Sequence, residues 1–298
     1  MRQILKSRLS GIAVATALTA AALVTPARSL FAEGTEQPAV ERIVAVGGSV
    51  TEVIYALGEE DRLIARDSTS IFPEEALELP DVGYMRALSP EGVLSVDPEL
   101  ILMLEGSGPQ ETVDLLRKSG IAIADIPHAF TAEGIADKVR TIGAALAVPE
   151  KAEELALKLE ADLEAARRQA AGQTSGVRVL FILSTNGGRI LASGSDTAAD
   201  GILKLAGAEN AMADFSGYKQ LSDEAIISAA PDVVLMMSRT GDHGADAEEL
   251  FSHPALAQTP AGRNNRLIRM GGQYLLGFGP RTADAVRELA VELSSVRS

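Results

Sequence analysis

The chain has 298 residues, neither cysteine nor tryptophan, and a formal charge of −14. So acidic a balance argues against nucleic acid and anionic membrane surfaces as partners. Without cysteine there can be no disulfide framework, no thiolate metal site and no lipidated cysteine at a processed N-terminus.

In chain order, residues 1–29 read as a signal peptide. Arg2, Lys6 and Arg8 form a basic start, Gly11 to Val24 is an uncharged run, and Ala27-Arg28-Ser29 supplies small residues for cleavage after Ser29. The fourteen-residue run falls short of the about 20 apolar residues that span a bilayer. Cleavage removes Arg2, Lys6, Arg8 and Arg28 but no acid, which moves the formal charge from −14 to −18. The expected product is a soluble protein retained in a Gram-negative periplasm.

After a polar leader at 30–40, Arg42–Val46 is an apolar strand, Gly47-Gly48-Ser49 a turn, and Thr51–Leu57 a helix closed by Gly58. Strand, glycine turn and helix open an α/β unit. Strands follow at 63–65, 100–104 and 121–126, with helices at 111–118 and 131–147. Between 149 and 173, apolar residues at Ala152, Leu155, Leu159, Leu163 and Ala166 alternate with charged ones at helical spacing. One long helix there makes a stiff connector that permits little swing. The second half restarts with strands at 177–183, 232–237 and 266–270, and ends in a helix from Gly279-Pro280-Arg281 to about Ser294. The intervening 238–245 reads as a polar loop.

The two halves echo each other. Aligning Leu88–Leu102 with Leu221–Leu235 matches six of fifteen positions, and each copy follows a Gly-Tyr pair, Gly83-Tyr84 and Gly217-Tyr218. A weaker echo relates Gly48-Ser49-Val50-Thr51 to Gly194-Ser195-Asp196-Thr197. A two-copy pattern predicts two similar lobes, with the space between them open to a ligand. The lobes are expected at 38–148 and 174–298, with 149–173 joining them.

No nucleophile elbow, P-loop or zinc-protease motif is present, and His128, His243 and His253 are scattered, so an enzyme is not expected. The pairs Gly47-Gly48 and Gly187-Gly188 lack dinucleotide-binding spacing and read as tight turns. Tyr84 is the sharpest single residue. A phenolate is a hard anionic ligand suited to ferric iron, and Arg86 two residues on favours the anionic form. A half-buried tyrosine beside a surface ion pair is the plainer alternative. Glu91 and Glu224 occupy matching places in the two copies; a capping-box role fits them imperfectly, because Ser89 and Ser222 precede them by two residues and not three.

From RIVAVGGSVTEVIYALG through VGYMRALSPEGVLSVDPELIL, GSDTAADGILKLAGAENA, FSGYKQLSDEAIISAAPDVVLMM and LLGFGPRT, the chain resembles the periplasmic haem-binding proteins of bacterial haem ABC importers, the hemin-binding HmuT type. The architecture belongs to a wider class that also carries cobalamin and iron siderophores. The resemblance implies a two-lobed α/β periplasmic binding protein with a rigid interlobe helix. It also implies haem as transported ligand, Tyr84 as axial iron ligand and Arg86 supporting its oxygen. Arg239 is carried over to the propionates, Tyr218 and Lys219 to the facing wall, and Met85, Met237 and Phe215 to an apolar lining. Glu91 and Glu224 would each dock on one subunit of an ABC permease dimer, with an outer-membrane haem receptor upstream and the binding protein itself a monomer. Family members that hold two stacked haems use a second-lobe histidine where this chain has Ser184-Thr185-Asn186-Gly187-Gly188, a departure that counts against two-haem binding while Tyr84 alone could hold one. His128 is expected to be a loop histidine near the cleft. The alternative ligand is a ferric siderophore or a corrinoid.

Overall fold

The structure, a computed structural model, describes residues 40–238 and 247–297. The signal peptide and leader, Arg239 and His243 lie outside the described residues.

The first sheet is parallel, in the order β2-β1-β3-β4, from β1 (Ile43–Val46), β2 (Leu63–Arg66), β3 (Leu100–Leu104) and β4 (Ala122–Ile126). The central strands read IVAV and LILML with every residue buried, the pattern of parallel strands covered on both faces. The covering helices are α1 (Gly48–Leu57), α2 (Pro90–Leu94), α3 (Gln110–Lys118) and α4 (Ala132–Ala145). Helix α1 begins earlier than expected, because Gly47 at φ 112° makes the whole turn by itself.

Helix α5 (Pro149–Thr174) runs 26 residues and enters both cores. Ala152 and Ala156 pack with the first-sheet core, whereas Leu163, Ala166 and Ala170 pack with the second. Small residues allow this close approach: a Cβ on Gly143 of α4 would lie 2.0 Å from the Ala152 Cβ. Double docking, more than helix stiffness alone, therefore fixes the connector.

The second sheet is mixed, in the order β10-β9-β5-β6-β8. Strands β5 (Arg178–Asn186), β9 (Val233–Ser238) and β10 (Leu267–Gly271) are parallel, while β6 (Arg189–Ser193) and β8 (Tyr218–Gln220) extend it antiparallel, and the short β7 (Glu209–Asn210) pairs with β5. Gly187 and Gly188, both at positive φ, form the two-residue turn between β5 and β6. Helices α6 (Ala198–Leu205), α7 (Asp223–Ala229), α8 (Ala247–Phe251), α9 (Pro254–Ala257), α10 (Pro260–Arg263), α11 (Gly272–Leu276) and α12 (Thr282–Ser294) complete the lobe. Helix α12 lies along α5, where Arg287 pairs with Asp162.

Candidate binding cleft

In the first sheet the chain crosses from β1 to β2 on one side and returns to β3 on the other. The crevice outside the carboxyl ends at such a reversal is where α/β sheets hold ligands. The Gly83-Tyr84 turn hangs over this point, tied to three successive strand ends. After β1, the Gly47 N–H donates to Asp67 Oδ1 at 3.0 Å. After β2, fully buried Asp67 also accepts from the Thr69 N–H, the Thr69 and Ser70 hydroxyls, and the Met85 N–H at 3.3 Å. After β3, the Gly108 N–H donates to the Met85 carbonyl at 2.8 Å.

Asp81 fixes the other flank, accepting from Arg66 at 2.9 Å, Ser68 at 3.0 Å and the Gly83 N–H at 2.8 Å. Gly83 sits at φ 103°, a conformation that glycine adopts without steric cost. The chain then turns so that the Tyr84 side chain stays 47% exposed while Met85 beside it is 7% exposed. Met85 packs in the first core, which corrects its expected place in the apolar lining. Phe215 and Met237 remain partly exposed, and the Lys219 ammonium lies 5.9 Å from the Phe215 ring centroid.

Arg86 exerts its charge on both walls. Its charge acts on His128 of its own lobe and on Tyr218 of the opposite lobe. His128 follows β4, with its ring edge-on to Phe130 at 4.9 Å, and Phe130 in turn meets Phe278 of the second lobe at 5.3 Å. Burial, then the charges of Lys138 and Arg86, push the His128 imidazole down to about 3, so it is a neutral base at neutral pH. Its Nε2 is buried with no hydrogen-bond partner among the described residues. The Tyr218 hydroxyl is pushed up by burial, against the opposing pull of Arg86 and Thr197, although 41% of the residue stays exposed.

The two copies of the repeat are not superimposable in detail. Tyr84 occupies a turn, whereas Tyr218 opens the edge strand β8. The helices that follow do correspond: Ser89 and Ser222 are N-caps whose side chains accept from the Gly92 and Ala225 N–H groups. Glu91 and Glu224 are the second residues of these helices and not the third, so neither closes a capping box; both are exposed. The Glu224 carboxyl is held below its usual range by backbone and Ser222 hydrogen bonds.

Sequence reasoning missed the floor of the cleft. Lys138 on α4 is fully buried, and its ammonium donates to Ser49 Oγ (3.0 Å) and to the Gly277 (3.3 Å) and Phe278 (2.8 Å) carbonyls of the second lobe. Glu52 on α1, 6% exposed, accepts two bonds from Arg281 (2.9 and 2.7 Å) and one from Gln273 (2.6 Å). A lysine in the middle of the helix, between Ile135 and Val139 on the buried face, was the available signal.

The periplasmic binding protein family model matches residues 43–274. The chain belongs to that family. Among solved structures, the periplasmic heme-binding protein BhuT in complex with two hemes is 35% identical at a TM-score of 0.81, covering 86% of this chain and 99% of that chain. The periplasmic heme-binding protein RhuT from Roseiflexus sp. RS-1, in apo form, is 36% identical at a TM-score of 0.81, covering 87% and 100%. The vitamin B12-binding protein of Vibrio cholerae is 29% identical over 254 residues, 85% of this chain and 89% of its own length. The two-lobed α/β architecture expected from the sequence is the one these periplasmic binding proteins share.

Proposed function

We propose that the protein captures ferric haem between its lobes and delivers it to an inner-membrane ABC permease, with no catalysis. The carrying observation is the exposed Tyr84, held at the sheet's reversal point, with the charge of Arg86 felt at Tyr218 of the opposite lobe. Tyr84 would supply the phenolate ligand to iron, and Arg86 would stabilise that oxygen. Tyr218, Lys219 and Arg239 are the proposed propionate contacts; a guanidinium pairs with a carboxylate through two parallel hydrogen bonds. Heme binding by relatives of 35% and 36% identity supports haem as cargo.

We place the lobes at 38–148 and 174–298, joined through 149–173, and the mature protein in the periplasm after removal of residues 1–29. Glu91 and Glu224, exposed at matching helix starts, would dock on the two permease subunits, a twofold arrangement suited to a duplicated binding protein. A relative in Bacillus subtilis described as an ABC transporter substrate-binding lipoprotein, 27% identical over 253 residues, supports such a partner.

A visible absorption titration with hemin tests the reading. The expected result is a saturable Soret change with a high-spin ferric tyrosinate signature, lost in Tyr84→Ala, with Arg86→Ala weakening affinity on the order of 10–100-fold. An unchanged spectrum in Tyr84→Ala would refute the ligand assignment. The B12-binding relative keeps a corrinoid as the second reading. Saturable binding of cyanocobalamin without a hemin response would establish it.

A further inference from the structure

The hydrogen bonds that cross between the lobes at the cleft floor converge on one short segment of the second lobe, Gln273 to Arg281. Lys138 holds the carbonyls of Gly277 and Phe278, and Glu52 holds the side chains of Gln273 and Arg281. The Gln273 Oε1 also accepts from the Ile71 N–H of the first lobe at 3.2 Å. Arg281 is sandwiched further, its guanidinium 3.6 Å from the Phe72 ring centroid.

This segment is wired to the Tyr84 turn. Gln273 packs so closely on Gly48 that a Cβ there would lie 2.5 Å from its amide nitrogen. The Gly48 N–H donates to Thr69 Oγ1 at 2.8 Å, Thr69 donates to Asp67, and Asp67 accepts from the Met85 N–H next to Tyr84. Close packing of Gln273 on Gly48, followed by these hydrogen bonds, therefore links the second lobe to Met85, the residue after the proposed iron ligand. The Lys138 partner set also tolerates loss of a proton: two carbonyls can only accept, while the Ser49 hydroxyl can turn to donate.

We propose that Glu52 and Lys138 are positioning residues that clamp the Gln273–Arg281 segment to α1, holding the cleft at one width and the Tyr84 turn in register with the opposite wall. The consequence for ligand binding rests on Tyr84 being the iron ligand; the clamp itself does not.

The chain has no cysteine, so Leu115→Cys on α3 and Ile227→Cys on α7, both at exposed positions in different lobes, give a unique spin-label pair. Double electron–electron resonance on the otherwise unaltered protein should give one narrow distance. Glu52→Gln and Lys138→Met should broaden it, and Gln273→Ala, a milder change, should broaden it less while leaving the circular dichroism spectrum native. Hemin affinity should fall about tenfold in the broadened variants, within the usual range for coupled sites, with the tyrosinate signature retained. An unchanged distance distribution in folded Glu52→Gln and Gln273→Ala would overturn the clamp. The distance measurement needs no ligand, so failure of the parent protein to bind hemin would refute the haem reading alone.

Discussion

Burying a lysine at the junction of two lobes makes stability depend on pH in a defined direction. Burial, partly opposed by the Glu52 charge, pushes the Lys138 ammonium down from 10.5 to about 7. The native state thus gives up this proton more readily than the unfolded chain, where lysine titrates normally. Between pH 7 and 10.5 the unfolded state binds more protons, and stability gains from this residue as pH rises. Below pH 7 both states are protonated and the full penalty of the buried charge is present. The gap corresponds to about 5 kcal/mol, or about 1.4 kcal/mol per pH unit across the window. Lys138→Met removes that dependence while leaving the Gly277 and Phe278 carbonyls short of a donor. Urea unfolding of parent and variant at pH 6.0 to 9.5 should therefore diverge, with the difference moving about 3 kcal/mol in favour of the parent between pH 7 and 9.5. Parallel pH profiles would show that Lys138 titrates normally, and the account of the floor as desolvated would be wrong.

Three further outcomes are expected. The depressed His128 value, about 3 against 6.5, means that the unfolded chain protonates first as pH falls, so this residue costs stability from pH 6.5 downward. Because the ring is only partly buried, about 1 kcal/mol per pH unit is expected, and His128→Phe should flatten the acid limb of the stability curve. Asp67→Ala strands the Gly47 and Met85 N–H groups, costing about 3 kcal/mol by denaturant titration and weakening hemin binding through the displaced Tyr84 turn; unaltered hemin affinity would exclude the turn-holding role. Charge reversal of Glu91 and Glu224 together should abolish stimulation of the permease ATPase while leaving hemin affinity intact, whereas loss of hemin binding would disprove the docking assignment.

The parts of the fold legible in the sequence are those set by local periodicity. The IVAV and LILML runs read as strands, and the alanine and leucine spacing of 149–173 as one long helix, which is how they fold. The second lobe's β6 and β8 escaped because RILAS and YKQ are short, and YKQ is polar and solvent-facing at a sheet edge, so pairing and not composition makes it a strand. The Ser89 and Ser222 caps were legible at single-residue level, but the part of the acids was not. One residue of offset from the cap leaves each acid at the second helical position, where it does not close a reciprocal box, although Glu224 still takes backbone and Ser222 hydrogen bonds.

The site divides the same way. Tyr84 stood out because Gly83-Tyr84 recurs as Gly217-Tyr218, yet the repeat could not say that one tyrosine would sit in a turn and the other on an edge strand. Arg86 was read as a support for the Tyr84 oxygen and a haem contact, while the groups on which the fold sets its charge are His128 and Tyr218. The floor was the least legible, because its bonds close across long stretches of chain: Glu52 meets Arg281 at a separation of 229 residues, and Lys138 meets Phe278 at 140. No window of sequence contains both ends. A buried lysine is nevertheless tolerable only if every ammonium hydrogen finds an acceptor, and here one hydroxyl and two carbonyls supply all three. The requirement that made Lys138 invisible to hydrophobic patterning is the one that joins the lobes, because α4 alone could not have satisfied it.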